Sequence, residues 1–134
     1  MRAVLVCLAL ISLAGCGSSD SGTGPGGGGG ANIAGSYTLK TVDNKALPVA
    51  FTDSSLVSGQ LAVTDSGWTQ TTIVKYALGG NPAGDTLVLG GFWLASGSNL
   101  TLYDYGNSTT YTGSYTSTSI NLTTKTATLL SYSK

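Results

Sequence analysis

The chain of 134 residues contains no histidine and no glutamate, so its side chains able to do chemistry reduce to two cysteines, six aspartates, five lysines, one arginine and the hydroxyl residues. General acid–base catalysis near neutral pH needs a group titrating there, or a carboxyl shifted toward it. Asp20 lies in a glycine-rich stretch, while Asp43, Asp65 and Asp85 fall in turn sequences, where aspartate commonly bonds its own backbone. Asp104 differs, because in Tyr103-Asp104-Tyr105 it shares the period-two face of Leu100 and Leu102. A carboxylate carried inward must find a partner or take up a proton. Asp104 is therefore either a polar anchor in a ligand pocket or a residue already at the solvent-exposed end of its strand. A two-carboxylate glycosidase site would need a second inward acid, and none can be placed. No catalytic residue is assigned.

Metal chemistry has as little to work with, for imidazole is missing and the aspartates are too scattered for a calcium loop. Neither a metal nor another cofactor is expected. The aromatic residues are the remaining material: Trp68, Tyr76, Phe92, Trp93, Tyr103, Tyr105, Tyr111, Tyr115 and Tyr132. They read as a stacking surface for glycans or the lining of a site for a small apolar ligand, or else as core and cross-strand packing. The candidate ligand-pocket residues are Tyr37, Trp68, Trp93, Asp104, Tyr111 and Tyr115.

The two cysteines belong to the N-terminal segment. Met1-Arg2 precedes an apolar run from Ala3 to Leu13, interrupted by Cys7 and Ser12, and Ala14-Gly15 then leads to Cys16. A positive start, about a dozen apolar residues and small residues at the end make a secretory signal, too short for the roughly 20 apolar residues of a membrane span. Leu13-Ala14-Gly15-Cys16 resembles the lipobox of bacterial lipoproteins. The resemblance implies diacylglyceryl transfer to the Cys16 thiol, cleavage between Gly15 and Cys16, and acyl chains that anchor the mature protein in the cell envelope. Two or more chains matter physically, since one alone binds a bilayer only marginally. Gly17 after the cysteine, where aspartate would retain a lipoprotein at the inner membrane, resembles the version sent to the outer membrane of a two-membrane cell. Cys7 departs with the leader, which leaves no thiol for a disulfide or a thiolate metal site.

Three segments follow: a signal peptide over 1–15, a lipidated cysteine with a flexible linker over 16–32, and a folded domain over 33–134. The linker carries no apolar side chain between Gly17 and Gly30, so ordering it would cost entropy with no burial in return. Its end-to-end distance as a glycine-rich coil is about 20 Å. Phosphate-cradling loops need a strand before, a helix after and a lysine at fixed spacing, none of which it has. Charge excludes another class. Six positive residues face six negative ones, and losing Arg2 leaves five lysines against six aspartates. Nucleic acid is not an expected partner without clustered cations.

In the folded part apolar residues alternate with polar ones in short runs, clearest at Tyr37-Thr38-Leu39, Leu61-Ala62-Val63, Leu100-Thr101-Leu102, Ile120-Asn121-Leu122 and Ala127-Thr128-Leu129. Eighteen threonines between Ile33 and Lys134 favour strands. Turn residues at Asp43-Asn44, Asp65-Ser66-Gly67, 79–82, 96–99, 106–108, 117–118 and 124–125 cut the region into eight strands: 35–42, 56–64, 68–78, 86–95, 100–105, 109–116, 119–123 and 126–133. The fold class is all-β, an antiparallel meander that buries its apolar face by closing into a small barrel. The segment 46–51, alternating around Pro48, is an edge piece or a lid over one end. Strand 86–95 is apolar on both faces, with Leu87, Leu89 and Trp93 on one and Val88, Phe92 and Leu94 on the other, so something besides solvent is expected over its outer face.

Gly35-Ser36-Tyr37 at the start of the first strand, followed by hairpins ending in Tyr132, is similar to the lipocalin-like domains of small bacterial lipoproteins. That family begins its first strand with a glycine and an aromatic residue whose ring closes the bottom of the barrel. Tyr37 stands where classical members carry tryptophan, and no C-terminal helix is visible. The leading expectation is a non-enzymatic envelope lipoprotein whose barrel binds a small apolar or glycan ligand or a partner protein. A structural or surface-coat lipoprotein with a filled core is the alternative.

Overall fold

A computed structural model describes residues 32–134; the segments read from sequence as leader and linker, with Gly15 and Cys16, lie outside the described residues. Ten strands in one antiparallel sheet make up the described chain: β1 (Gly35–Val42), β2 (Lys45–Ala46), β3 (Val49–Ala50), β4 (Ser54–Val63), β5 (Trp68–Tyr76), β6 (Asp85–Ser96), β7 (Asn99–Asp104), β8 (Thr110–Tyr115), β9 (Ser119–Thr123) and β10 (Leu129–Ser133). Strands β4 to β10 pair in sequence order, as short connections require. β1 then pairs with β10 along one edge, Leu39 opposite Tyr132, and with β4 along the other, Tyr37 opposite Leu61. This double pairing closes an eight-stranded barrel and leaves β2 and β3 as short additions to it, with Val49 of β3 packing into the core.

The eight strands expected from alternation are therefore present, with ends shifted by a few residues. β6 begins at Asp85, paired with Val74, so that aspartate opens a strand and is not a turn residue. The larger departure is at 126–128. The Thr124 amide donates to the Thr128 carbonyl at 2.9 Å and the Thr128 amide to Thr124 Oγ1 at 3.1 Å, which closes a loop with Ala127 at φ 63°. Local hydroxyl-to-backbone bonding has outcompeted the ladder there. At the first hairpin Asp43 and Asn44 both take positive φ, 49° and 63°, the conformation of a type I′ turn. The segment 46–51 contributes β2 and β3, with Val49 opposite Leu56.

The pleat sends one side of every strand inward. Tyr37, Tyr132, Leu61, Leu100, Leu102, Ile120, Leu122 and Val42 are all fully buried, and they fill the barrel with side chains as small eight-stranded barrels do. Two glycines let strands approach where any side chain would intrude: a Cβ at Gly91 would overlap the Tyr103 carbonyl oxygen, and one at Gly113 the Asn121 carbonyl oxygen.

Candidate functional site

All six candidate pocket residues of the folded part lie inside the barrel, buried. Tyr37 closes the end at which β1 starts. Its hydroxyl donates to the Ile33 carbonyl at 2.8 Å, and Lys134 lies over its ring at 4.9 Å while donating to the Ala34 carbonyl. Trp93 donates its indole N–H to the Thr64 carbonyl at 2.8 Å. Trp68 donates to two carbonyls, of Phe92 at 3.0 Å and Tyr103 at 3.2 Å. Its ring meets Tyr111 edge-on, centroids 5.8 Å apart. Tyr115 stands opposite Ile120, and its amide donates to the Ser98 carbonyl in the turn between β6 and β7. These bonds join the aromatic residues to backbone, and each ring packs in the core cluster.

Asp104 is on the inward face shared with Leu100 and Leu102, as the alternation requires, and only 6% exposed. It sits at a strand end, yet that end is not solvent-exposed. Its Oδ1 accepts from the Gly106 amide at 2.8 Å and its Oδ2 from Asn107 Nδ2 at 3.0 Å. The carboxylate is thus held by the turn that follows it, an Asx-type arrangement built from the next three residues. Trp68, Gly91 and Asp104 occupy one row across β5, β6 and β7. Tyr111 is close enough to feel Asp104: burial first, then that carboxylate, raises the Tyr111 pKa. Tyr132 follows, its pKa raised by burial and then by Tyr111. The Tyr132 hydroxyl has no hydrogen-bond partner among the described residues. Asp104, Tyr111, Tyr132 and Gln70 are thus polar side chains buried among the apolar ones of the interior. Among the described residues no three His, Cys, Asp or Glu side chains converge on a point that could hold a metal ion.

The end opposite Tyr37 is built differently. β4, β5 and β6 are 10, 9 and 12 residues long, against 5 or 6 for β7 to β10, so they run on past the other walls. On their core-facing side the register places Leu56 opposite Val74, Thr72 opposite Leu87 and Gln70 opposite Leu89. Leu56 and Leu89 pack on the core, but Leu87 is 45% exposed and Thr72 and Val74 are half-buried. This end is an open mouth lined by apolar and polar side chains together, with Asp85 opposite Val74 at its lip and Gln70 buried below Thr72 on the same wall.

The outside of β6 carries the second apolar feature. Val88, Phe92 and Leu94 project outward and are exposed, so no described residue covers this face as the sequence pattern had led one to expect. Phe92 stacks on Tyr103, centroids 4.6 Å apart and planes 7° from parallel, and Tyr105 leans on Phe92 at 5.9 Å. Beside them lies a groove of about 440 Å³ over β4, β5 and β6. The sequence held three signals of it, the two-faced apolar pattern of β6, Trp68 as a candidate pocket residue and Tyr105 among the aromatic residues read as a stacking surface. It had none that Tyr105 would meet Thr69 and Gly90, which come from three different segments.

No family model, no curated protein and no solved structure matches this chain.

Proposed function

We propose that the protein is a non-enzymatic lipoprotein, anchored through Cys16 in the bacterial envelope and by preference in the outer membrane of a two-membrane cell, whose lipocalin-like barrel binds a small apolar ligand at its mouth. The observation that carries this reading is the exposure of core-facing side chains at one end only: Leu87 is 45% exposed, whereas Leu61 and Leu102 in the middle are at 0%. An apolar surface that points into a barrel and still meets water is unpaid hydrophobic area, which a ligand would cover at about 25 cal/mol per Å². Asp85, Thr72 and, deeper, Gln70 on the same wall would offer such a ligand polar contacts. Lipobox and glycine-rich linker support the anchoring half of the reading.

A second reading keeps the anchor and drops the ligand. The fully buried side chains in the middle of the barrel favour it, because they leave a coat protein's filled core. Titration of the 31–134 chain with N-phenylnaphthylamine separates the two. The ligand reading expects a saturable rise in fluorescence that Thr72→Trp abolishes by filling the mouth; no rise favours the coat. For the anchor, mass spectrometry of protein from its native host should find a diacylglyceryl-modified Cys16 as the first residue, and an unmodified terminus would overturn it.

A further inference from the structure

We propose that the groove on the outer wall of the barrel, between Tyr105 and the turn joining β4 to β5, is a binding site for a neutral saccharide, separate from the mouth. A sugar ring presents C–H bonds on its faces and hydroxyls around its edge. It is therefore held best by a flat aromatic face beside hydroxyls and open backbone, and the groove is built of those parts. Tyr105 is 73% exposed, and it is held from behind by Phe92, itself stacked on Tyr103. An exposed ring braced by a neighbour that is itself held in a stack loses little freedom when a ligand stacks on it.

The floor is Gly90 and Gly91. Gly91 is required by the approach of the Tyr103 carbonyl, as above, but Gly90 lies on the outward face between Val88 and Phe92. A Cβ there would meet the Trp68 carbonyl oxygen at 3.0 Å. Glycine at 90 keeps the floor open and leaves backbone polar groups within reach. Thr64, Ser66 and Thr69 supply hydroxyls along the opposite rim. Thr64 is occupied by its own turn, donating to the Gly67 carbonyl at 3.1 Å, whereas Thr69 points outward and is exposed.

Charge narrows the ligand. No aspartate or lysine side chain lines the groove, and the nearby Asp104 carboxylate is turned inward to Gly106 and Asn107. A phosphorylated or uronic ligand would find no cation here, and a fatty one would meet hydroxyls along a whole rim. The volume, about 440 Å³, falls within the roughly 300–1,000 Å³ of small-molecule sites.

The test is calorimetric titration of the full-length protein in detergent with cellotriose, maltotriose and tri-N-acetylchitotriose. At least one is expected to bind saturably. Tyr105→Ala should weaken that binding about tenfold, Tyr105→Phe should retain it because the ring face remains, and Thr69→Trp should abolish it by filling the groove. Thr72→Trp, in the mouth, should leave it unchanged, so this site and the apolar one can fail separately. The proposal is overturned if none of the three sugars binds at millimolar concentration, if binding survives Tyr105→Ala at full strength, or if Tyr105→Ala instead changes the oligomeric state in sedimentation, which would make the groove a protein contact.

Discussion

The indole of Trp93 reaches across the barrel end to the Thr64 carbonyl, 2.8 Å away, and so ties β6 to the turn between β4 and β5. That carbonyl belongs to a turn whose amide and hydroxyl of Thr64 are already bonded to Gly67. Trp93→Phe keeps most of the apolar volume and removes the donor, and should cost about 1–3 kcal/mol in urea unfolding. Trp93→Ala adds a cavity and should cost about 3–5 kcal/mol. No measurable loss in Trp93→Phe would show that the hydrogen bond contributes nothing.

Tyr132 is 2% exposed with an unpartnered hydroxyl. Removing a buried polar group that makes no hydrogen bond is neutral or stabilising, so Tyr132→Phe should hold or raise stability by up to about 1 kcal/mol. A loss of more than that in thermal unfolding would mean that a water bonds this hydroxyl in solution.

The same tyrosine predicts an alkaline limit. Burial and then Tyr111 raise the Tyr132 pKa, and burial and then Asp104 raise that of Tyr111, both from 10.0. The unfolded chain therefore gives up these protons first as pH rises. Stability from the two groups is complete below about pH 10 and declines above it. Denaturant midpoints measured across that range should fall, and the fall should be shallower in Tyr132→Phe. An unchanged slope in the variant would remove Tyr132 as the cause.

Asp104 caps its own turn through two acceptor contacts. Asp104→Asn can still accept from the Gly106 amide but places an amide against Asn107 Nδ2, and should cost about 1 kcal/mol; Asp104→Ala loses both contacts and should cost about 2–3 kcal/mol. Neither should alter binding of the naphthylamine probe beyond what the stability loss explains. A selective loss of probe binding in a fully folded Asp104→Asn protein would instead place the carboxylate in the ligand site.

Gly91 and Gly113 sit where the next strand's carbonyl occupies the space of a Cβ. Gly91→Ala and Gly113→Ala should each cost more than about 3 kcal/mol, beyond the roughly 1 kcal/mol span of strand propensity. Chemical unfolding of either variant at near-native stability would contradict the close approach.

Much of this architecture was legible in the chain before folding was considered. Alternation at Tyr37-Thr38-Leu39 or Ile120-Asn121-Leu122 assigns each side chain a face, because a strand has a period of two, and the turn residues between such runs bound their lengths. The resemblance of Leu13-Ala14-Gly15-Cys16 to a lipobox is likewise a reading of contiguous residues, independent of tertiary context. What the tertiary structure decided is everything that hangs on register between distant segments. Closure required β1 to accept β4 on one edge and β10 on the other, and that closure turned the candidate pocket residues into a packed interior. Alternation placed Asp104 inward but could not foresee that Gly106 and Asn107 would satisfy it, and Ala127-Thr128-Leu129 looked like strand until Thr124 bonded across it. The meeting of Tyr105, Gly90 and Thr69 has no local signature at all. Period and turn chemistry act over a few neighbouring residues, whereas a site on a barrel wall is assembled by the tilt and stagger of strands that only the closed sheet imposes.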